Sequence, residues 1–560
     1  MTYSTRFWDM MFDRIARREA ERSRCVIKEN EMKDWKHFLV LIALFFFGVI
    51  PALTQTVERD AFVIPAMKHD VSLPLYQMAK HAPSATKPIE MLEPKRKHYV
   101  SAGAIDPVVQ HEFLPGISTT NLLNFDAMTS NVSGGSIPPD TNGSVGSTQF
   151  VEIVNVAFEV FDKTTGNVVL GPTPITAVWS GFGGACESSA GGDPVVLWDK
   201  AAQRWLITEL AFTFTDDYQC VAVSTTSDAT GNYYRYAFNE GPNLSDYPKY
   251  SVWTDAYYTT ANIYSNTFLG ARPCALDRTA MLSGGNANAI CFPPNPANYG
   301  FMPSDLDGAT APPAGEPAHY VDIGNMTNEL TDYDFHVDFA NPKNSTFTGP
   351  HNITVPNFVL LCNDGGNFAC IPQPSPGERV DSLSGLLMFR LAYRNFGDHE
   401  AMVVAHSVKP GSGSTATSAN RWYELRATPP GSAFKLYQSG TYQHPTISLW
   451  MASIAMDKQG DIAMGMSATN TTNVKPSIAY TGRVPSDPLG KMEAPSVVVV
   501  GSAVQVNGAN RWGDYSSMSL DPADDCTFWY AQEYYNKANG GSSSSNWTTR
   551  LVSFKFNSCK

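Results

Sequence analysis

Four aspartates stand just ahead of apolar stretches that are far apart in the chain. They are Asp140 in Pro138-Pro139-Asp140-Thr141-Asn142-Gly143, Asp193 in Gly192-Asp193-Pro194, Asp246 in Asp246-Tyr247-Pro248-Lys249, and Asp514 in Arg511-Trp512-Gly513-Asp514-Tyr515. Carboxylates gathered in one place can hold Ca²⁺ through hard oxygen ligands, accept sugar hydroxyls, or raise one another's pKa until one stays protonated. An isolated Asp ahead of a strand does something plainer and caps its own turn by accepting backbone N–H groups. The fold decides between these two readings.

Other residues extend the first reading. Arg511 beside Trp512 and Tyr515 suits carboxylate or sugar recognition, by paired hydrogen bonds and ring stacking, and Glu533 and Tyr534 follow in Gln-Glu-Tyr-Tyr. Acid–base work would draw on Asp193, Asp514 and Glu533, and ligand contact on Asp140, Asp246, Arg511 and Tyr515. Gly397-Asp398-His399-Glu400, downstream of Arg390 and Arg394, sets a carboxylate beside an imidazole, so Arg390, Asp398, His399 and Glu400 join the ligand-binding candidates. An exposed hairpin turn explains that tetrad equally well, and a strand face explains His336 and Asp338. Asp140–Gly143, Asp305–Gly308 and Asp457–Asp461 are oxygen-rich turns that admit Ca²⁺, although none completes an EF-hand loop. No other cofactor is expected. Serine-hydrolase, dinucleotide and P-loop motifs do not occur, and no C-x-x-C suggests a zinc ribbon.

The elements that would carry these residues are hairpins. Val195–Asp199 into Trp205–Leu210, Ser251–Asp255 into Tyr257–Thr260, Ser453–Asp457 into Asp461–Met466, and Ser516–Asp521 into Cys526–Tyr530 each read as two strands around a tight turn. No ten-residue amphipathic helical stripe interrupts them. Recurrent hairpins over 117–560 predict an all-β fold, a six- or seven-bladed β-propeller of four-stranded antiparallel blades. Equivalent strand starts would then meet at one axial mouth. Two sandwich domains are the alternative, with 284–320 as linker rather than a long loop. Phe150–Phe161 reads as one strand, and Arg550–Phe556 is expected to close the ring near Asn142–Phe161.

Ahead of that domain, residues 1–36 hold nine basic and seven acidic side chains, and the remainder carries 31 basic against 46 acidic, a net of −15. An acidic surface repels phosphate backbones, so nucleic acid is not an expected partner. Phe38–Ile50 is thirteen residues without charge, short of the ~20 of a spanning helix and within the range of a signal-peptide core. Residues 37–54 therefore read as a signal segment or, alternatively, a single membrane anchor. Met32 is a plausible start for the chain, and 55–116 reads as a Pro-punctuated linker. Cys25 precedes the apolar run. The other eight, Cys186, Cys220, Cys274, Cys291, Cys362, Cys370, Cys526 and Cys559, suit disulfides in an oxidising compartment. Eight cysteines leave many pairings open; pairing in sequence is the most economical.

Degenerate copies of Ser-x-Asp-x-Gly-x-x-Trp occur at Thr226-Ser227-Asp228-Ala-Thr-Gly231-Asn-Tyr-Tyr234 and at Ser519-Leu-Asp521 leading to Trp529. In these turns the chain resembles the sialidase-like propellers with BNR repeats. Pro138–Gly143, Asp334–Asn344, Arg390–Glu400 and Arg511–Tyr535 also resemble exported bacterial proteins of unassigned activity, over most of 137–559. The sialidase resemblance implies an arginine triad, a Tyr/Glu nucleophile pair and an acid/base Asp. Arg390, Arg511, Glu533 and Tyr534 are of the right types without matching that pattern motif by motif. The expectation is a secreted, periplasmic or surface propeller binding a glycan or protein ligand at its mouth. The alternatives are a glycoside hydrolase using two carboxylates, or a structural adhesion protein.

Overall fold

The structure is a computed structural model describing residues 60–81, 99–362, 369–506, 508–537 and 546–560. The 1–36 lead, the 37–54 apolar segment and Lys95-Arg96-Lys97 lie outside the described residues. Among the described residues no helix is long and apolar enough to cross a membrane.

The described chain is nearly all β. Antiparallel meanders of four strands follow one another: Asn142–Val145 to Val168–Pro174, Gly192–Asp199 to Tyr233–Gly241, Leu244–Val252 to Asn288–Cys291, and Met302–Leu306 to Thr346–Thr354. Then come Leu391–Asn395 to Lys435–Tyr442, Ser448–Met456 to Ser496–Val499, and Ser517–Leu520 onward. The first strand of each meander lies against the first strand of the next, and Ser517–Leu520 lies against Asn142–Val145, so the series closes into a ring. These first strands are covered on both faces, which is why Val195–Trp198 and Leu449–Ala452 read as unbroken apolar runs rather than alternating ones. Between the fourth and fifth meanders the first strands also hydrogen-bond in parallel, Ser304 to Leu306 beside Leu391 to Tyr393.

Three expectations need correction. Residues 55–116 are not all linker: Phe62–Val71 is a strand wedged between Tyr233–Gly241 and Asn288–Cys291, antiparallel to both, and Val109–Gln110 runs beside Lys435–Tyr442. The wedge covers two sheet edges that would otherwise offer unpaired N–H and C=O groups. The final strand does not close against Asn142–Phe161. Trp547–Phe556 takes Thr119–Thr129 as its neighbour, so a segment from ahead of the first meander completes the last. Residues 284–320 are neither a loop nor a linker throughout, since Asn288–Cys291 ends one meander and Met302–Leu306 begins the next.

Four disulfides join the cysteines in sequence: Cys186–Cys220, Cys274–Cys291, Cys362–Cys370 and Cys526–Cys559. Cys274 and Cys291 stand directly opposite on neighbouring strands. Cys526–Cys559 ties the turn before Phe528–Tyr535 to the C-terminal residues.

Candidate functional site

Asp140, Asp193 and Asp514 each sit at the entry to a first strand with left-handed backbone, at φ of 52°, 50° and 59°. In the third meander the left-handed residue is Tyr247, φ 55°, one past Asp246, where the strand pairing slips. Asp and Asn adopt this conformation more readily than most residues with a side chain. Gly513, at φ 66° immediately before Asp514, needs it too, and a Cβ there would press on Met451. The same local bend recurs at successive strand entries, and the carboxyls these entries carry come together.

There they meet. The Asp140 carboxyl lies within hydrogen-bonding reach of that of Asp193, and Asp246 and Asp514 are close enough to act on the same pair. Tyr247 donates its N–H to Asp193 Oδ2 at 2.9 Å and its hydroxyl to the Asp514 carbonyl at 3.0 Å. Tyr515 donates its hydroxyl to the Pro194 carbonyl at 3.4 Å. Asn155 holds the other side of this frame, accepting the Asp193 N–H at 3.0 Å and donating to the Pro138 carbonyl at 3.0 Å. Arg511 pairs with Asp514 and stands 3.7 Å from Asp381. The Lys249 ammonium lies 3.3 Å from the Tyr247 ring centre and 4.2 Å from that of Tyr515.

Burial dominates the electrostatics. The aspartates are 2 to 7% exposed, and Arg511, with its side chain 15% exposed, is the most open charged group of the cluster. Loss of solvent, then the negative charges of Asp514 and Asp193, pushes the Asp140 carboxyl well above its ordinary range. Asp246 is raised for the same reason, burial first and Asp193 next. Asp514 is raised less freely because Arg511 opposes the effect of burial. Asp381 rises to about 6 through burial, again opposed by Arg511. Burial draws the Lys249 ammonium down to about 8 even with four aspartates favouring its charge. Asp140 Oδ1, Asp514 Oδ1 and Arg511 Nε have no hydrogen-bond partner within the protein, and buried polar atoms are ordinarily satisfied. Such a cluster can hand protons between neighbouring carboxyls and accept or donate hydrogen bonds to a polar ligand.

The other expected residues fall elsewhere. Glu533 is buried and accepts the Gly513 N–H, so it supports the Asp514 turn. Arg390 bonds Asp305 at 2.7 Å and Asp307 at 2.6 Å and lines a small cavity beside Gly143 to Val145, Trp198 and Ser517. None of the four aspartates, nor Arg511, borders that cavity. The 397–400 tetrad is split. Asp398 is 85% exposed and touches His399 at 2.6 Å on a surface turn, whereas Glu400 is buried, accepting from the Tyr393 hydroxyl and the Gly431 N–H. Asp338 is a turn acceptor for Ala340 and Asn341.

Lys249, Tyr247 and Asp381 were not among the expected site residues. The phrase Asp246-Tyr247-Pro248-Lys249 carried the signal for the first two. Asp381 lies on a two-stranded pairing of Ala369–Ile371 with Val380–Asp381, outside the repeat, and nothing in its sequence neighbourhood marks it.

No family model matches the chain, and no curated protein does. Solved structures that resemble it include an endo-arabinase from Bacteroides thetaiotaomicron at 10% identity, covering 65% of this chain and 93% of that one with a TM-score of 0.25. A glycoside hydrolase family 43 endo-arabinanase from Bacillus licheniformis has 8% identity, covers 64% and 97%, and scores 0.27. A sialidase from Streptococcus pneumoniae has 10% identity, covers 73% and 72%, and scores 0.25. At these values the likenesses carry no argument about the activity of this chain.

Proposed function

We propose that the chain is an exported, seven-bladed β-propeller whose axial mouth, at the entries of the inner strands, binds a hydroxyl-rich ligand, a glycan of the extracellular or envelope space. The observation that carries this reading is the convergence of Asp140, Asp193, Asp246 and Asp514 with Arg511 from positions spread over residues 140–514. Carboxylates accept sugar hydroxyls and a guanidinium donates to ring or carboxylate oxygens, and Arg511 with Asp514 is the part a ligand reaches first. Four disulfides support an oxidising destination.

A second reading is glycoside hydrolysis, favoured by the contact between the Asp140 and Asp193 carboxyls. Burial, with Asp514 and Asp193 beside it, pushes the Asp140 carboxyl well above its ordinary range, which suits it to the role of general acid. The second carboxylate would come from Asp246 or Asp514. Incubating the purified protein with immobilised glycans tests both readings. Saturable retention without release of reducing sugar supports binding. Release that disappears in a folded Asp514→Asn variant supports hydrolysis, and neither retention nor release across a broad panel overturns both.

A further inference from the structure

On the fourth meander, away from the acid cluster and sharing no residue with it, two imidazoles and two carboxylates face one another across three strands. His319 stands opposite Asp334, and Asp332 opposite His351. Asp332 and Asp334 are two apart on one strand and so share a face, which puts all four side chains on the same side of the sheet. His319 Nδ1 lies 3.1 Å from Asp332 Oδ2 and 3.3 Å from Asp334 Oδ1, and His351 Nε2 lies 3.1 Å from Asp334 Oδ2. One ligand atom from each of His319, Asp332 and Asp334 falls within 4.8 Å of the others. We propose that His319, Asp332, Asp334 and His351 form a binding site for a first-row divalent metal ion such as Zn²⁺.

Three features point to a metal rather than to hydrogen bonds alone. A ring nitrogen carries one proton or one lone pair, yet Nδ1 of His319 faces two carboxylates at nearly equal distance, and one of those carboxylates faces a second imidazole. In a tetrahedral site with bonds of ~2.1 Å, neighbouring ligand atoms lie about 3.4 Å apart, close to the 3.1 and 3.3 Å from His319 Nδ1 to the two carboxylates; His351, held on the other oxygen of Asp334, would swing its half-exposed ring inward to complete the set. The far nitrogen of His319 is already engaged: Nε2 lies 3.2 Å from Glu316 Oε1, the outer carboxylate that commonly orients a metal-bound imidazole and fixes its tautomer. The Phe434 ring stands edge-on to His319 at 4.7 Å and walls one side, while His351, 52% exposed, leaves the other open to an incoming ion. Two nitrogens and two carboxylate oxygens suit Zn²⁺, Co²⁺ or Fe²⁺ better than the all-oxygen shell of Ca²⁺. Among the described residues, the other close group of three, Asp457 with Cys526 and Cys559, is no competitor, because its sulfurs form a disulfide.

The test is a titration of chelator-treated full-length protein with Co²⁺, followed by visible absorption, with Zn²⁺ as displacing ion and thermal melting in parallel. One equivalent of Co²⁺ giving tetrahedral-type d–d bands, abolished by Zn²⁺, is the expected result, with a melting temperature raised by Zn²⁺. His351→Ala removes a half-exposed ligand and so leaves the fold intact. It should weaken Co²⁺ binding at least tenfold, by analogy with the ~10–100-fold cost of losing an outer partner, and Glu316→Gln should cost about tenfold. Absence of stoichiometric binding in the wild type overturns the proposal and leaves His319 as a protonated bridge between its carboxylates. Binding of unchanged affinity in both His351→Ala and Asp334→Asn overturns it equally, by placing the ion elsewhere.

Discussion

An aspartate at the start of an inner strand and one at its end look alike in sequence but differ in what they join. At strand ends the side chain caps its own turn: Asp199 Oδ1 accepts the Ala202 N–H at 2.9 Å, Asp457 Oδ1 accepts from Gln459 and Asp461, and Asp521 Oδ1 accepts the Ala523 N–H. Their partners from other meanders are cations and a hydroxyl, Arg278 and Tyr257 on Asp199 and Lys163 on Asp521, and not further carboxyls. At strand starts, carboxyls from different meanders come together, Asp140, Asp193 and Asp514 with left-handed backbone. Asp193 shows how much rests on one such residue, since it accepts the buried Tyr247 N–H and adopts φ 50°. Asp193→Ala should lower stability by about 2–4 kcal/mol, combining an orphaned buried donor with backbone strain, measured by urea unfolding. Asp193→Asn keeps an acceptor and tolerates the bend, so it should cost about 1 kcal/mol or less. Equal losses in the two variants would mean that the charge, not the hydrogen bond and the bend, is what matters there. The four strand-start aspartates were readable in sequence because each precedes an apolar run. Their grouping was conditional on the ring, and Lys249 stood in a phrase singled out for its aspartate alone.

At the scale of elements, hairpins were legible where a turn carries Asp and Gly, and not where it lacks them. Phe150–Phe161 read as one strand because the turn at Asn155-Val156 has no glycine or proline. The chain reverses there with Val156 at φ 63°, making Gln149–Val154 and Ala157–Asp162 two strands. Phe62–Val71 was missed for a different reason. Its residues are mostly exposed or half-buried, so no apolar alternation advertises a strand whose role is to cover two edges. Removing residues 1–72 should uncover both edges, and size-exclusion chromatography is expected to show concentration-dependent association, where an unaltered monomer would deny the wedge that role. The Cys526–Cys559 bridge closes a loop of 33 residues around the meander completed by Thr119–Thr129. Replacing both cysteines by serine should cost about 2–4 kcal/mol in denaturant unfolding, and no measurable change would show that strand pairing alone holds the closure.

Across the whole molecule, acidic groups are buried well beyond the axial cluster. Burial raises Asp381 to about 6, Asp457 and Glu159 to about 7 and Glu152 to about 8. Each holds its proton in the folded state at a pH where the unfolded chain has released it. The resulting stabilisation is complete below the ordinary carboxylate range and is lost as pH climbs through about 6 to 8. The melting temperature should therefore be several degrees higher at about pH 5.5 than at about pH 8.5, and Glu152→Gln should flatten the alkaline end of that profile. Stability rising over the same interval would contradict the protonation assigned to these groups. The ring itself was the part of the fold most open to reading, because it follows from repeated hairpins. The strands that close and wedge it come from outside the repeat and left no periodic trace.

The central claim is that residues brought to the strand entries, and not those on the 397–400 turn, make the ligand site. Retention on a glycan panel should be compared for the wild type, Asp514→Asn and the double variant Asp398→Ala/His399→Ala, each confirmed folded by melting. The account predicts saturable retention of at least one glycan, weakened about tenfold or more by Asp514→Asn and unchanged in the double variant. Retention unaffected by Asp514→Asn, or lost with the two turn residues, would contradict it.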